Sequence, residues 1–191
     1  MKFKKHYKLA SLILISFIIL LPLNSIADES FEEAAANNLV SLNIMQGYSD
    51  GQLRLQNKIN RSEFTTLVVK MMGYDKDTDT DNIKLDFKDV LKKNWAYVFI
   101  KAAVKNKLVM GNNEKEFRPT SNITYAEALT VMIRALGYEK TLDGKWPDNV
   151  LKKASELGVD KNLSLEKDDQ ITRGQMSIII DNSLSVDTNG F

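Results

Sequence analysis

The 191-residue chain contains no cysteine, so no disulfide framework can hold it and no acylated cysteine can tether it to a membrane. The only histidine is His6, inside a leader expected to be removed. Without Cys or His beyond that leader, Cys/His nucleophiles, Ser-His-Asp triads and the usual zinc sites are excluded, and no metal or cofactor is expected. An excess of charge of one sign is missing too, since 26 basic residues face 25 acidic ones. That balance offers no electrostatic reason for binding nucleic acid or bulk membrane. A long hydrophobic run is also absent. The longest, Leu9 to Leu23, covers 15 positions, short of the roughly 20 needed to cross a bilayer.

What is present begins with that run. It follows the basic segment MKFKKHYK and leads to the small residues of Ser25-Ile26-Ala27. The pattern predicts a secretory signal peptide over 1–27, cut after Ala27, against the rival of an uncleaved anchor. Removing Lys2, Lys4, Lys5 and Lys8 leaves 22 basic and 25 acidic residues, a net charge of −3. The tail 186–191 has no apolar stretch, so the exported chain is expected to carry no stable membrane anchor and to be retained, if at all, by noncovalent binding.

Three copies of one short device organise the rest: Ile59-Asn60-Arg61-Ser62-Glu63, Ile123-Thr124-Tyr125-Ala126-Glu127 and Ile171-Thr172-Arg173-Gly174-Gln175. Each sets Asn or Thr three residues before Glu or Gln and opens an apolar run. This spacing predicts a capping box at a helix start, with Asn60/Glu63, Thr124/Glu127 and Thr172/Gln175 as the reciprocal pairs. Gly73 and Gly137 fall where a left-handed C-cap would end the first two of these helices. Upstream of each box lies a second helical pattern: Phe31, Ala35, Leu39, Leu42; then Trp95, Val98, Phe99, Ala102, Ala103; then Val150, Leu151, Ala154, Leu157. Such a period marks a repeat architecture. The expected fold is all-α, three helix-loop-helix repeats over 28–74, 85–138 and 145–185 within one domain of 28–185, because one helix pair cannot bury its own apolar face.

The acidic run Asp75 to Asp81 has some of the spacing of a calcium loop. Starting an EF-hand at Asp77 puts Asn82 where Gly is required and Lys88 where the bidentate Glu belongs, so a solvated linker is the better reading.

The ordered signatures Asp86-Phe87-Lys88-Asp89-Val90, Trp95-Ala96, Leu108 to Gly111, Phe117-Arg118-Pro119 and Ile123 to Gly137 resemble the S-layer homology (SLH) domain. The first copy keeps Gly47-Tyr48-Ser49-Asp50-Gly51 and Asn60 to Glu63; the third keeps Trp146 and Thr172 to Gln175 with a shortened loop. The resemblance implies a pseudo-threefold, three-pronged spindle with ligand grooves between repeats. It further implies noncovalent anchoring to secondary cell-wall polysaccharide, often anionic and pyruvylated, or to a peptidoglycan-linked glycan, on the wall or S-layer surface of a Gram-positive-type bacterium. Other surface proteins are possible partners. Carried over residue by residue, it makes Arg61, Arg173, Tyr125, Asp89, Trp95, Gly47 and Gly111 the glycan-binding set, with Tyr125 standing where the other copies have Arg.

Physical chemistry alone leaves alternatives open. Arg61 and Arg173 sit at first helical positions, where a cation costs about 0.3–1 kcal/mol. That cost fits an anion site built from helix-start N–H groups and a guanidinium fork, or equally a solvated or carboxylate-paired arginine. Trp95 and Trp146 could stack on sugar rings, but core packing is the stronger reading for Trp95, which begins an apolar stripe. Met71, Met72 and Met132 read as core. An enzyme is the competing class, a glycan hydrolase using Glu63 and Glu127 as its carboxylate pair. Both glutamates are already engaged by their capping boxes, which favours a binding module over a catalyst; a peptidoglycan-binding structural surface protein is a further alternative.

Overall fold

The computed structural model describes residues 29–76, 80, 82–112 and 114–189. The predicted signal peptide lies outside these residues, as do positions 77–79 and 81 of the rejected calcium loop. Among the described residues there are six α-helices and no sheet: α1 Phe31–Ser41, α2 Arg61–Met71, α3 Tyr97–Lys105, α4 Tyr125–Ala135, α5 Asp148–Glu156 and α6 Arg173–Ser183. All three predicted capping boxes form. Asn60, Thr124 and Thr172 accept from the backbone N–H of Glu63, Glu127 and Gln175, whose side chains accept in return from the cap N–H. A fourth box, Ser30 with Glu33, starts α1 and was not read from the sequence. Gly73 and Gly137 adopt the expected left-handed conformation, with φ of 71° and 83°.

The helices do not pair within repeats. Instead α2 packs on α3, α4 on α5, and α6 returns to α1, so each capped helix is completed by the first helix of the next repeat and the last pairing closes the chain on itself. At the centre, the isoleucines preceding the three caps form a closed ring of backbone hydrogen bonds. The Ile59 N–H donates to the Ile171 carbonyl (3.1 Å), Ile171 to Ile123 (3.2 Å) and Ile123 to Ile59 (3.1 Å). All three side chains are buried. Around this ring the core fills with Phe64, Val68, Leu129, Met132, Met176 and Ile180 from the capped helices, joined by Leu39, Ile100 and Ala154 from their partners.

The upstream helices bury most of the expected stripe, including Ala35, Leu39, Ala102, Ala103, Val150 and Ala154, but not all of it. On α3 Ile100, Lys101, Ala102 and Ala103 are buried, while Val98 and, ahead of the helix, Trp95 are exposed. On α1, Ala35, Ala36 and Leu39 are buried, while Phe31 and Leu42 are exposed. Core packing for Trp95 is therefore corrected: Trp95 is exposed, and the adjacent Ala96, with Ile100, is buried instead.

Candidate functional site

The helix starts carry the predicted arginines, but not the predicted free amides. At α2 the N–H groups of Arg61 and Ser62 donate to the carbonyls of Ser121 (3.0 Å) and Pro119 (3.1 Å). At α4, Tyr125 and Ala126 donate to Asp169 and Lys167; at α6, Arg173 and Gly174 donate to Asn57 and Leu55. With the third amide spent on the cap, no helix-start N–H is left for an anion, and the expectation of a backbone anion site is corrected. Any charge reading must come from side chains.

Two grooves built on the same plan supply them. The first, about 280 Å³, is lined by Gln46 and Gly47 from the first loop, Glu63, Thr66 and Lys70 of α2, Trp95 ahead of α3, and Arg173 of α6. The second has two connected lobes of about 380 and 190 Å³ that share Arg61, Met110 and Glu127. Gly111 lines one lobe, while Thr130, Arg134 and Trp146 line the other. Position by position, counting from the caps, Arg173, Glu63, Thr66, Lys70 and Trp95 correspond to Arg61, Glu127, Thr130, Arg134 and Trp146. The tryptophans are 60% and 57% exposed, so each offers a ring face to its groove. Neither Thr66, Lys70, Thr130, Arg134 nor the placement of Trp146 was singled out as a site from the sequence. The repeat alignment carries the signal, since these are the polar positions six and ten residues past each cap.

The third interface departs from the plan at every one of those positions. Tyr125 replaces the arginine, Gln175 the glutamate, Ile178 the threonine and Asn182 the basic residue, and Glu29 stands two residues before α1 where tryptophan precedes α3 and α5. Asn182 Nδ2 donates to the Val159 and Lys161 carbonyls at 3.1 and 2.9 Å, which ties α6 to the loop whose counterparts in the other repeats line the two grooves. Tyr125 is 4% exposed. Its hydroxyl pKa is pushed up to about 12, first by burial and second by the nearby Asp160 carboxylate. A buried, uncharged phenol beside an acid repels rather than attracts an anionic ligand, and Tyr125 does not stand out into a groove.

The two arginines also differ. Arg61 donates through Nε to the Phe117 carbonyl at 2.8 Å and pairs through Nη1 with Glu127 at 3.1 Å. Arg173, 6% exposed, donates through Nε to Leu53 O at 2.8 Å and through Nη2 to Gln46 O at 3.1 Å, with its guanidinium 4.9 Å from the Tyr48 ring centre. Among the described residues no carboxylate lies within ion-pair distance of Arg173 or Lys70, whereas Arg134 pairs with Glu139 at 2.8 Å. Among the described residues, the first groove therefore holds two cations without an ion pair and the second holds paired ones.

Asp89 lines neither groove. Its carboxylate accepts from the N–H groups of Phe117 (2.9 Å) and Arg118 (2.7 Å), holding the loop whose Phe117 carbonyl receives Arg61. Gly47 and Gly111 do lie at the grooves, and their smallness has a steric cause. A Cβ on Gly47 would sit 2.7 Å from the Gly51 carbonyl oxygen, and one on Gly111 2.5 Å from the Phe87 ring. Among the described residues no cluster of His, Cys, Asp or Glu could hold a metal ion, and no helix is long and apolar enough to cross a membrane.

Comparison with known proteins places this geometry in a family. The family model described as S-layer homology domain matches residues 27–65 and 86–129. The chain is 34% identical over 81% of its length to a middle cell wall protein of Brevibacillus brevis, covering 15% of that protein. It is 34% identical over 90% of its length to a cell surface protein of Thermoanaerobacter kivui, covering 22% of it. A cellulosome-anchoring protein of Acetivibrio thermocellus is 32% identical over 48% of the chain, with 21% of that protein covered. The chain thus spans under a quarter of the length of these relatives.

Proposed function

Since the chain belongs to the S-layer homology domain family, a family of cell-surface anchoring modules, we propose that it binds an acidic, pyruvylated secondary cell-wall polysaccharide in its two matched grooves. The observation that carries this is the matched pair of constellations, Arg173/Glu63/Thr66/Lys70/Trp95 and Arg61/Glu127/Thr130/Arg134/Trp146. Each combines what an acidic sugar needs: a fixed guanidinium for a carboxylate, a second cation on the same helix face, a hydroxyl, and an exposed indole face for the apolar side of a pyranose ring. The three helix pairs form the prongs of a spindle, with the ring of isoleucines at its hub.

The first groove is the stronger reader of negative charge, because among the described residues no carboxylate pairs with Arg173 or Lys70. In the second groove a ligand carboxylate must compete with Glu127 for Arg61. The third interface is structural. Anchoring is noncovalent and noncatalytic, for a chain exported by its signal peptide to the wall of a Gram-positive-type cell. Glu63 and Glu127 act as capping partners rather than as a hydrolytic pair.

The test is cosedimentation of the mature chain with purified wall sacculi before and after chemical removal of the secondary polymer. Sedimentation lost on stripping, and release by denaturant without cleavage, are the expected results. Retention on stripped sacculi would move the assignment to peptidoglycan. Release of soluble sugar during the incubation would return the hydrolase reading.

A further inference from the structure

The two grooves differ in length as well as in charge. The second continues past Arg61 and Glu127 into its larger lobe of about 380 Å³, lined by Asn112, Glu116, Arg118, Ser121 and Asn122 of the loop ahead of α4. The corresponding loop of the first repeat, residues 48–58, lines no part of the first groove, which stops at Gln46 and Gly47. One exchange accounts for the difference. Eleven residues before the isoleucine of the central ring, the first repeat has Tyr48 and the second has Asn112. The backbone turns alike at both: the Tyr48 N–H donates to the Gln52 carbonyl at 3.0 Å and the Asn112 N–H to the Glu116 carbonyl at 3.1 Å. The Tyr48 ring is held by two guanidinium groups, with Arg54 at 4.3 Å and Arg173 at 4.9 Å from its centre, and so covers one side of Arg173. Asn112 is shorter and turned back on its own loop, its Oδ1 accepting from the N–H groups of Glu114 and Glu116, both at 2.9 Å. The space that a phenol ring takes beside Arg173 is thus left open beside Arg61.

The open lobe is polar but balanced in charge. Its charged lining residues are two arginines and two glutamates, paired as Arg61 with Glu127 at 3.1 Å and Arg118 with Glu116 at 3.4 Å. Side chains neutralised in this way still bond hydroxyls and amides, but they give little advantage to a second carboxylate. Ser121 and Asn122 add a hydroxyl and an amide, and the exposed Met110 gives the junction of the two lobes an apolar surface. The lobe's volume lies within the roughly 300–1,000 Å³ of pockets that bury a small ligand. Resting on the reading of the grooves as acidic-glycan sites, we propose that this lobe is a further subsite, for a neutral sugar joined to the acidic one at Arg61. Tyr48 and Asn112 then set how much glycan each groove reads, one sugar in the first and two in the second.

Fragments one and two sugars long, each carrying the acidic unit, are prepared from the secondary polymer by partial hydrolysis and titrated by calorimetry against the full mature chain. Trp95→Ala impairs the first groove and Trp146→Ala the second, so each variant reports on the groove left intact. In Trp95→Ala the two-sugar fragment should bind about tenfold or more tighter than the one-sugar fragment; in Trp146→Ala the two should agree within about twofold. Adding Asn112→Tyr to Trp95→Ala should bring the ratio down to about that of the first groove. Should the tyrosine disturb the loop, Ser121→Phe, at an exposed residue lining the same lobe, should lower the ratio several-fold. Equal binding of the two fragments in Trp95→Ala, or a ratio unchanged by both lobe variants, would overturn the subsite and leave the groove assignment standing. No binding of either fragment to the wild-type chain would overturn the groove reading, and the subsite with it.

Discussion

The Trp146 indole N–H donates to the Thr130 hydroxyl at 3.0 Å, and that hydroxyl donates to the Ala126 carbonyl at 2.7 Å. Trp95 and Thr66 occupy the equivalent places in the first groove without this link. Thr66 Oγ1 is buried there with no partner. The two grooves thus share residues but not wiring: one tryptophan is latched, while the threonine hydroxyl of the other groove is buried and unbonded. Thr66→Val should raise stability slightly or leave it unchanged, since it removes an unsatisfied polar atom, and yet lower affinity for the wall polymer. Thr130→Val should instead cost about 1–2 kcal/mol by deleting two hydrogen bonds. Urea denaturation alongside wall binding tests both signs; a loss of stability in Thr66→Val would show its hydroxyl to be already bonded.

The unequal neutralisation of the two arginines leads to a prediction about charge. Lys70→Ala should weaken binding of the acidic glycan roughly tenfold, the scale of one charge-assisted hydrogen bond of about 1.5–3 kcal/mol, without changing the unfolding midpoint. Arg134→Ala should do less, because Glu139 already holds that guanidinium. Arg173→Ala is a poorer probe of binding alone, for it strips the Leu53 and Gln46 carbonyls of their donor and should also destabilise the fold by about 1–3 kcal/mol. Titrating the acidic glycan against the lysine and arginine variants at low and high salt separates these cases. Equal losses in Lys70→Ala and Arg134→Ala would contradict the claim that the first groove leads.

At the hub, stability should follow the caps. Asn60→Ala, Thr124→Ala and Thr172→Ala are each expected to cost about 0.5–2 kcal/mol, seen as lower denaturation midpoints. Because each cap stands next to an isoleucine of the central ring, the losses should combine less than additively in the triple variant. Strict additivity would mean that the three helix starts do not communicate through the ring.

How much of this was legible in the sequence depended on distance along the chain. Capping boxes and glycine C-caps are set by residues within four positions of one another, so Asn60 with Glu63 and the left-handed Gly73 could be read directly. The exposure of Trp95 and Val98 could not, because both continue the apolar pattern whose Ala102 and Ala103 are buried as expected. Arg173 was placed correctly at a helix start, but its burial depends on Leu53 and Gln46, about 120 residues earlier. The same distance hid the pairing of α6 with α1 and the carbonyls of Asn57 and Leu55 that consume the N–H groups of α6. Asp89 enters the ligand set through the resemblance alone, and its bonds to the Phe117 and Arg118 N–H groups, 28 and 29 residues on, could not be read from its signature.

Tyr125 gives the last prediction, a dependence of stability on alkaline pH. Its folded-state pKa, about 12, lies above the ordinary value of 10, because burial first and the Asp160 carboxylate second disfavour the phenolate. A group whose pKa is raised on folding favours the fold fully below its unfolded pKa and loses that contribution as pH climbs to the folded one. The window is therefore pH 10 to about 12, and the loss across it is on the order of 1–3 kcal/mol. Tyr125→Phe cannot ionise, so the variant should gain on wild type between pH 9 and pH 11.5, with Tyr74, also raised by burial, titrating alike in both proteins. Thermal melts of the two proteins at those pH values give the difference directly. The same position explains why Tyr125→Arg should not create a third acid-binding groove: the new guanidinium would meet Asp160 before any ligand, and the remaining partners at that interface, Gln175, Ile178 and Asn182, lack the groove chemistry. An identical difference in melting temperature at pH 9 and pH 11.5 would show that Tyr125 is solvated, and would reopen that interface as a binding site.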